Sequence, residues 1–305
     1  MRGKRKRIVL SCVAVAALAA VAIHGCSALR ESPETDLSKS GQLAKPPPPL
    51  KAPLELKIVT FNIWDLHPFG TARAERMRAI GKKLAGLAPD LIGFQEAFYE
   101  GDRAIIMEEL GPAGLSHSKY FHSGTVGSGL FVVSRFPIEE SFFRPYSQRG
   151  KFYKPWHGDW WAGKGVCLAR AKLPDGMGHV DFFNTHAHAN YGTGEYDDVI
   201  LDNLRECAAF VNEAATRASP ALMAGDFNAQ LNSPPGRALV QDAKLTPLIL
   251  QDTGIDHIFF QENAGCDCVV LKSEPITGSV DNGGKKIGLS DHPGFISTIR
   301  LSPKK

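Results

Sequence analysis

The fold class predicted for this 305-residue chain is α/β, with two packed β-sheets flanked by helices. Short apolar runs of strand length alternate with helical patterns, and no repeat of fixed period appears. Glycine (30) and proline (20) are too plentiful for a helical bundle. An apolar fraction of 43% against 22% charged residues is ordinary for a chain that buries a full core. The alternation continues to the C-terminal region, which predicts one large domain.

The N-terminus is a separate matter. Met1 to Arg7 carries five positive charges, and an uncharged, mostly apolar run follows from Ile8 to Ile23. This is the pattern of an export signal, and the run is short against the about 20 residues of a membrane span. Residues 1–25 are therefore expected to be a signal peptide or an N-terminal membrane anchor. Ile23-His24-Gly25-Cys26 resembles a lipoprotein signal with Cys26 lipidated, although His24 departs from the residue usual there. A secreted or N-terminally anchored protein is expected. Without its first 25 residues the net charge falls from +3 to −2, so the basicity belongs to the leader. That weighs against a nucleic-acid partner, which calls for a basic surface. Residues 26–53, including the proline run Pro46 to Pro49, read as an extended linker that buries no core.

The domain is expected over 54–305. Strands are predicted at Leu54 to Asn62, Leu91 to Phe94 and Leu130 to Ser134. A hairpin of Val166 to Leu173 and His179 to Thr185 closes through Pro174-Asp175-Gly176, and further strands lie at Ala221 to Ala224, Ile255 to Phe260 and Phe295 to Leu301. Helices are predicted at Arg73 to Ala88, stopped by Pro89, and at Tyr196 to Arg217. Outside the leader the cysteines are Cys167, Cys207, Cys266 and Cys268, whose pairing sequence leaves open.

Polar residues stand at the tips of these runs: Asn62, Glu96, His186, Asp226 with Asn228, Asp256, and Ser290-Asp291-His292. Singly, each has an ordinary reading as a turn cap or a solvated charge. As an ordered set they supply what metal-assisted phosphodiester hydrolysis needs: a carboxylate for a hard cation, amides for phosphate oxygens, and a histidine oriented by a carboxylate. Asp226 and Asn228 are expected to project from one strand towards one phosphate. His186 and His188 lack a third ligand at zinc spacing, so His186 is expected to donate to phosphate. His188 either is satisfied structurally or faces substrate. His292 is the candidate general base, with Asp256 on its other ring nitrogen. Three of the four tryptophans fall between Trp156 and Trp161. Such rings suit either a membrane interface or a core edge. Lys164 is placed to reach a phosphate, and Asp159 to pair with it when no substrate is bound.

Asn62, Gln95-Glu96, Gly225-Asp226-Phe227-Asn228, Ile255-Asp256 and Ser290-Asp291-His292 resemble, in order, the shared pattern of the endonuclease/exonuclease/phosphatase superfamily. Within it, the segments Phe121 to Leu130, His157 to Lys164 and Thr185 to Tyr191 are most similar to the Mg²⁺-dependent neutral sphingomyelinases. The resemblance implies a DNase I-like four-layered α/β sandwich. It implies Mg²⁺, with Mn²⁺ as substitute, on Glu96, Asn62 and Asp291. His186 and Asn228 would stabilise the phosphorane. His292, oriented by Asp256, would activate water, with Asp226 assisting the attacking or leaving oxygen. Lys164, Asp159, His188, Trp160 and Trp161 would meet the substrate. The expected function is an exported phospholipase C cleaving sphingomyelin at a membrane, as a monomer and without nucleic acid. A nuclease or other phospholipid or phosphoinositide phosphodiesterase or phosphatase, and a catalytically dormant lipid-binding protein, are the alternatives.

Overall fold

The computed structural model of the protein describes residues 35–66, 70–154, 156–251, 254–262 and 265–304. The leader and Cys26 lie outside the described residues. Among those described, no helix is long and apolar enough to cross a membrane.

Two six-stranded mixed sheets pack face to face. The first runs β11 (Cys266–Ile276), β14 (Gly294–Pro303), β1 (Leu54–Asn62), β2 (Leu91–Gln95), β4 (Phe131–Ser134), β3 (His117–Tyr120). The second runs β5 (Ile138–Pro145), β6 (Gly165–Lys172), β7 (His179–His186), β8 (Ala221–Asp226), β10 (Asp256–Gln261), β9 (Leu245–Pro247). A hairpin of β12 (Ser279–Asn282) and β13 (Lys285–Gly288) stands apart.

Strand periodicity builds the layers. Leu56 and Ile58 of β1 meet Phe182, Leu222, Ala224 and Ile258 between the sheets. The alternate residues Val59 and Phe61 face Met77, Ile80 and Ile106, which lie on α2 (Arg73–Leu87) and α3 (Glu100–Leu110). On the second sheet Phe183, Met223 and Phe259 pack against α4 (Asp197–Ala214) and α5 (Pro234–Asp242). The result is helix, sheet, sheet, helix, as the resemblance implies. Truncating a fully buried ring such as Phe182 would cost about 3–5 kcal/mol, because the lost contacts leave a cavity.

Each sheet holds one parallel pair, β1 with β2 and β7 with β8. A parallel pair needs a crossover, supplied by α2 in one half and α4 in the other. Both strands of a parallel pair end on the same side. Asn62, Gln95, His186 and Asp226 are therefore delivered together to one end of the slot between the sheets.

The expectation that residues 26–53 form a spacer burying no core is corrected for the described part. A short helix α1 (Gly41–Ala44) follows a 3-10 turn at Leu37–Lys39, and Leu37 and Leu50 are buried in the domain core. Glu140 accepts from Ser40 Oγ at 2.8 Å and from the Gly41 amide at 2.7 Å. Fully buried Arg170 ties this corner together through Glu140 (2.7 Å) and Asp181 (2.9 Å). Composition averages over the segment and misses two apolar anchors and a carboxylate that caps the helix start.

The eight predicted strands are the eight interior ones. All four edge strands, β3, β5, β9 and β11, escape the sequence reading, as do α3, α5 and the β12–β13 hairpin. An edge strand is only partly covered, so its apolar alternation is weak; β11, for instance, leaves Val269 and Leu271 exposed.

Candidate active site

The inward parity of Leu56 and Ile58 continues to Asn62, and that of Leu222 and Ala224 to Asp226, so register alone places both side chains in the slot. His186 lies opposite Asp226 in the parallel ladder, and Asp256 opposite Asp226 in the antiparallel one. Asn62 Nδ2 bridges the halves, donating to Asp226 Oδ2 at 2.9 Å and to Glu96 Oε1 at 3.3 Å. Glu96 follows the end of β2, where continued extension would point it to the helix layer with Ile92 and Phe94. A left-handed φ of 56° turns the chain, and the carboxylate meets Asn62 instead. Beneath it, Gln95 Nε2 donates to Asn184 Oδ1 (2.7 Å) and Asn184 Nδ2 to Phe94 O (2.9 Å), pinning one sheet to the other.

The projection of Asp226 and Asn228 from one strand is corrected. β8 stops at Asp226, and Asn228 adopts a φ of 48° in a turn in which its amide donates to Asp226 Oδ1 at 3.0 Å. Asn228 Nδ2 donates to Ala187 O at 3.0 Å, which still seats it beside His186.

His292 Nδ1 lies 2.8 Å from Asp256 Oδ2 and 3.8 Å from Asp226 Oδ2, the pairing that sequence predicts. Burial opposes the imidazolium, but the bond to Asp256 and the charges of Asp256, Asp226 and Asp291 outweigh it and raise the His292 pKa to about 9. Burial, reinforced by Asp226, also pushes Asp256 up. The ring bond fixes the tautomer and leaves Nε2 for proton transfer. Asp291 stands at the solvent rim and accepts from Ser290 Oγ at 3.1 Å.

Lys164 is buried and uses all three ammonium hydrogens, on Asp159 Oδ1 (2.8 Å), His186 Nε2 (3.0 Å) and Ala187 O (2.8 Å). An ammonium only donates, so Nε2 of His186 is an acceptor and the ring is neutral. Burial, helped by Lys164, pushes the His186 pKa down to about 3. The ring proton then sits on Nδ1, which is buried with no hydrogen-bond partner among the described residues, so the donation to phosphate from Nε2 expected from sequence requires Lys164 to leave and the proton to change nitrogen. His188 is buried, stacks on Tyr196 at 4.3 Å, and donates from Nδ1 to Ala189 O at 2.7 Å. Trp160 and Trp161 pack edge to face at 4.7 Å and are half-buried. The most exposed rings of this segment are others: Phe152 (73%), Tyr153 (57%) and Trp156 (72%).

The donor set fits a hard divalent cation. Glu96 Oε2 and Asp256 Oδ1 are buried with no hydrogen-bond partner among the described residues, and burial pushes the Glu96 pKa up to about 7. A buried carboxylate oxygen without a donor lacks the positive charge that a metal ion supplies. Ligand atoms of Asp226, Asp256 and His292 lie within 4.8 Å of one another, a second grouping able to hold an ion.

Residues 59–292, which span every one of these side chains, match the Endonuclease/Exonuclease/phosphatase family. The chain belongs to this family. A putative neutral sphingomyelinase of Drosophila melanogaster is 31% identical over 81% of this family member and 61% of its own length. An inositol phosphosphingolipids phospholipase C of Schizosaccharomyces pombe is 37% identical over 64% of this chain and 47% of its own. The chain thus spans about half to three-fifths of the length of these relatives. Among solved structures, sphingomyelinase C of Streptomyces griseocarneus superposes with a TM-score of 0.62 at 18% identity, covering 80% of this chain and 99% of that one. A beta toxin variant of Staphylococcus aureus with bound magnesium ions gives 0.62 at 16%, covering 82% and 100%. At such identities the likeness is one of fold.

The sequence reading singled out the residues that the structure gathers at this end of the slot, but not Asn184 or Arg76. Asn184 sits inside a β-rich run, with only its parity with His186 as a signal. Arg76 is a charge in phase with the apolar face of α2.

Proposed function

We propose that this family member is a Mg²⁺-dependent phospholipase C of the neutral sphingomyelinase type, hydrolysing sphingomyelin to ceramide and phosphocholine. The observation that carries this reading is the His292–Asp256 pair set 3.8 Å from Asp226, beside a buried Glu96 short of positive charge. The relatives named for sphingolipid phosphodiester cleavage support the substrate class.

Glu96 and Asn62 would hold Mg²⁺, with Asp291 at the rim. When bound, the ion supplies positive charge that polarises the phosphoryl group and lowers the proton affinity of its neighbours. In the proposed reaction His292 acts in its neutral form, which the positive charge of a bound cation would favour by offsetting the carboxylates that raise its pKa. A water oxygen attacks phosphorus while its proton passes to His292 Nε2. The phosphorus–oxygen bond to ceramide breaks, the ceramide oxygen takes up a proton with the assistance of Asp226 and leaves as the alcohol, and phosphocholine departs with the new oxygen. Asp256 holds the ring through Nδ1. Asn228 and His186 orient the non-bridging oxygens, and Lys164 lies one hydrogen bond from that place.

Exposed Phe152, Tyr153 and Trp156 are proposed to dock on the lipid surface, since rings with polar edges settle at headgroup depth. Residues 1–25 are proposed to export the protein or hold it at that surface.

The test is phosphocholine release from sphingomyelin vesicles by the full chain, with phosphatidylcholine, EDTA and His292→Ala as controls. Mg²⁺-dependent release lost in the variant supports the reading; none from folded, metal-loaded protein ends it. The Schizosaccharomyces pombe relative favours a second headgroup, inositol phosphate, and faster release from an inositol phosphosphingolipid would select it.

A further inference from the structure

We infer that Arg76 is a positioning residue, which sets the spacing between the Asn62–Glu96 side of the site and the Ser290-Asp291-His292 loop. The inference deepens the proposed reaction and rests on it for the role of His292.

Arg76 starts on α2, in phase with Met77 and Ile80, where an apolar residue would be ordinary. It is fully buried. Its guanidinium meets backbone carbonyls. Nε donates to Thr71 O at 2.8 Å, Nη1 to both Ile63 O and Leu289 O at 2.9 Å, and Nη2 to Trp64 O at 2.9 Å. Four of its five N–H groups thus gather two loops that are more than 200 residues apart in sequence. No carboxylate touches it among the described residues; the carbonyls, with the Trp64 ring 5.1 Å away and the more distant charges of Asp65 and Asp291, offset a buried charge that would otherwise cost several kcal/mol.

Those carbonyls lead straight to the chemistry. Ile63 follows Asn62, and Leu289 precedes Ser290. Ser290 Oγ donates to Asn62 O at 2.7 Å and accepts from the His292 amide at 3.4 Å. The guanidinium and Ser290 are therefore two parallel ties between the strand end carrying Asn62 and the loop carrying His292. The 63–66 loop has a separate hold: Asp65 accepts from the Tyr99 amide at 3.0 Å and from Arg73 Nε at 2.8 Å. Among the described residues the only side-chain tie to Leu289 is Arg76, beside a backbone bond from its amide to Gly278 O at 3.1 Å. Losing Arg76 thus removes one of the two ties that hold the histidine loop to the Asn62 strand end, loosening that loop more than the other.

The experiment uses the full chain with Arg76→Lys, which keeps the charge but gathers the donors on one atom. Amide exchange is compared across 288–294 and 62–66. Turnover of sphingomyelin is measured in the wild-type and His292→Ala backgrounds. Exchange is expected to quicken about tenfold or more at 288–294 and little at 62–66, with kcat down about 10–100-fold and KM within about threefold. In the His292→Ala background the same change should cost less than about threefold, because a residue acting through His292 has nothing left to position. Unchanged exchange at 288–294 in folded protein, or equal losses of kcat in both backgrounds, overturns the inference. Arg76→Gln, which retains two donors, serves the same comparison if the lysine variant melts below the assay temperature. If the wild type cleaves no sphingomyelin, the proposed reaction fails, and amide exchange alone decides whether Arg76 clamps the loop.

Discussion

Asn62, His186, Asp226 and Asp256 form the floor of the site, where strand register fixes each side chain and the alternatives are excluded by the core below. Among its described residues the overhanging segment from Gly150 to Lys164 has no strand of its own, only a bridge of Ala162 with Gly124. Besides the backbone bonds that Trp161 and Gly163 make to residues 125–127, its position depends on side-chain ties: Asp159 to Lys164, Asp159 Oδ2 to the Ala189 amide (2.6 Å), His157 Nδ1 to Tyr196 Oη (2.6 Å), and Lys154 with Lys151 on Glu195. The floor is held by hydrophobic burial and a hydrogen-bonded ladder, the overhang by charges and rings. The two regions should therefore fail under different insults.

The largest effect is expected at the floor residue Asp226 and at His292 and Glu96, which meet the floor from the loops beside it. His292→Ala, Asp226→Ala and Glu96→Ala should each lower kcat by about 10³-fold or more while leaving the melting temperature close to wild type. Glu96→Gln sharpens the point: in EDTA at about pH 8, above the Glu96 pKa of about 7, it should raise the melting temperature by a few degrees, because a buried charge is removed. Calorimetry beside activity checks both.

At the overhang, replacing Phe152, Tyr153 and Trp156 together by Ala should weaken vesicle binding about 100-fold, each ring contributing on the order of 1 kcal/mol. Turnover of a soluble short-chain substrate should stay unchanged. Equal losses on both substrates would show that these rings shape the site and do not dock.

Metal affinity should depend on pH with a definite sign. Burial holds Glu96 protonated up to about pH 7, so below that value a cation must displace a proton. Mg²⁺ affinity should fall about tenfold per pH unit between pH 7 and 5, with proton release on binding. Titration calorimetry in two buffers of different ionisation enthalpy measures both.

The smallest effect concerns acid stability. Burial opposes the Asp159 charge, but Lys164 and the nearby histidines outweigh it and depress the pKa to about 2. The unfolded value is about 3.9, so this group contributes stability above about pH 4 that is lost as pH falls towards 2. Asp159→Asn should cost about 2 kcal/mol at pH 7 and nothing at pH 2. A gap persisting at pH 2 would place the role of Asp159 in packing.

Sequence by itself determined the interior of the fold and most of the floor. A strand covered on both faces is largely apolar, and a polar residue at its tip is conspicuous, so Asn62, His186, Asp226 and Asp256 were legible as an ordered set at strand tips, though not one by one. Tertiary structure decided the rest. The edge strands carry too little burial to mark themselves. The docking of the Leu37–Ala44 corner depends on Arg170 and Glu140, far away in sequence, and Leu50 joins the core between the sheets. The contact of Lys164 with His186 and the grip of Arg76 on Leu289 O join residues 22 and 213 positions apart. Periodicity reports which face of an element is covered. Which charge meets which carbonyl depends on how the two sheets, once formed, bring their connecting loops together.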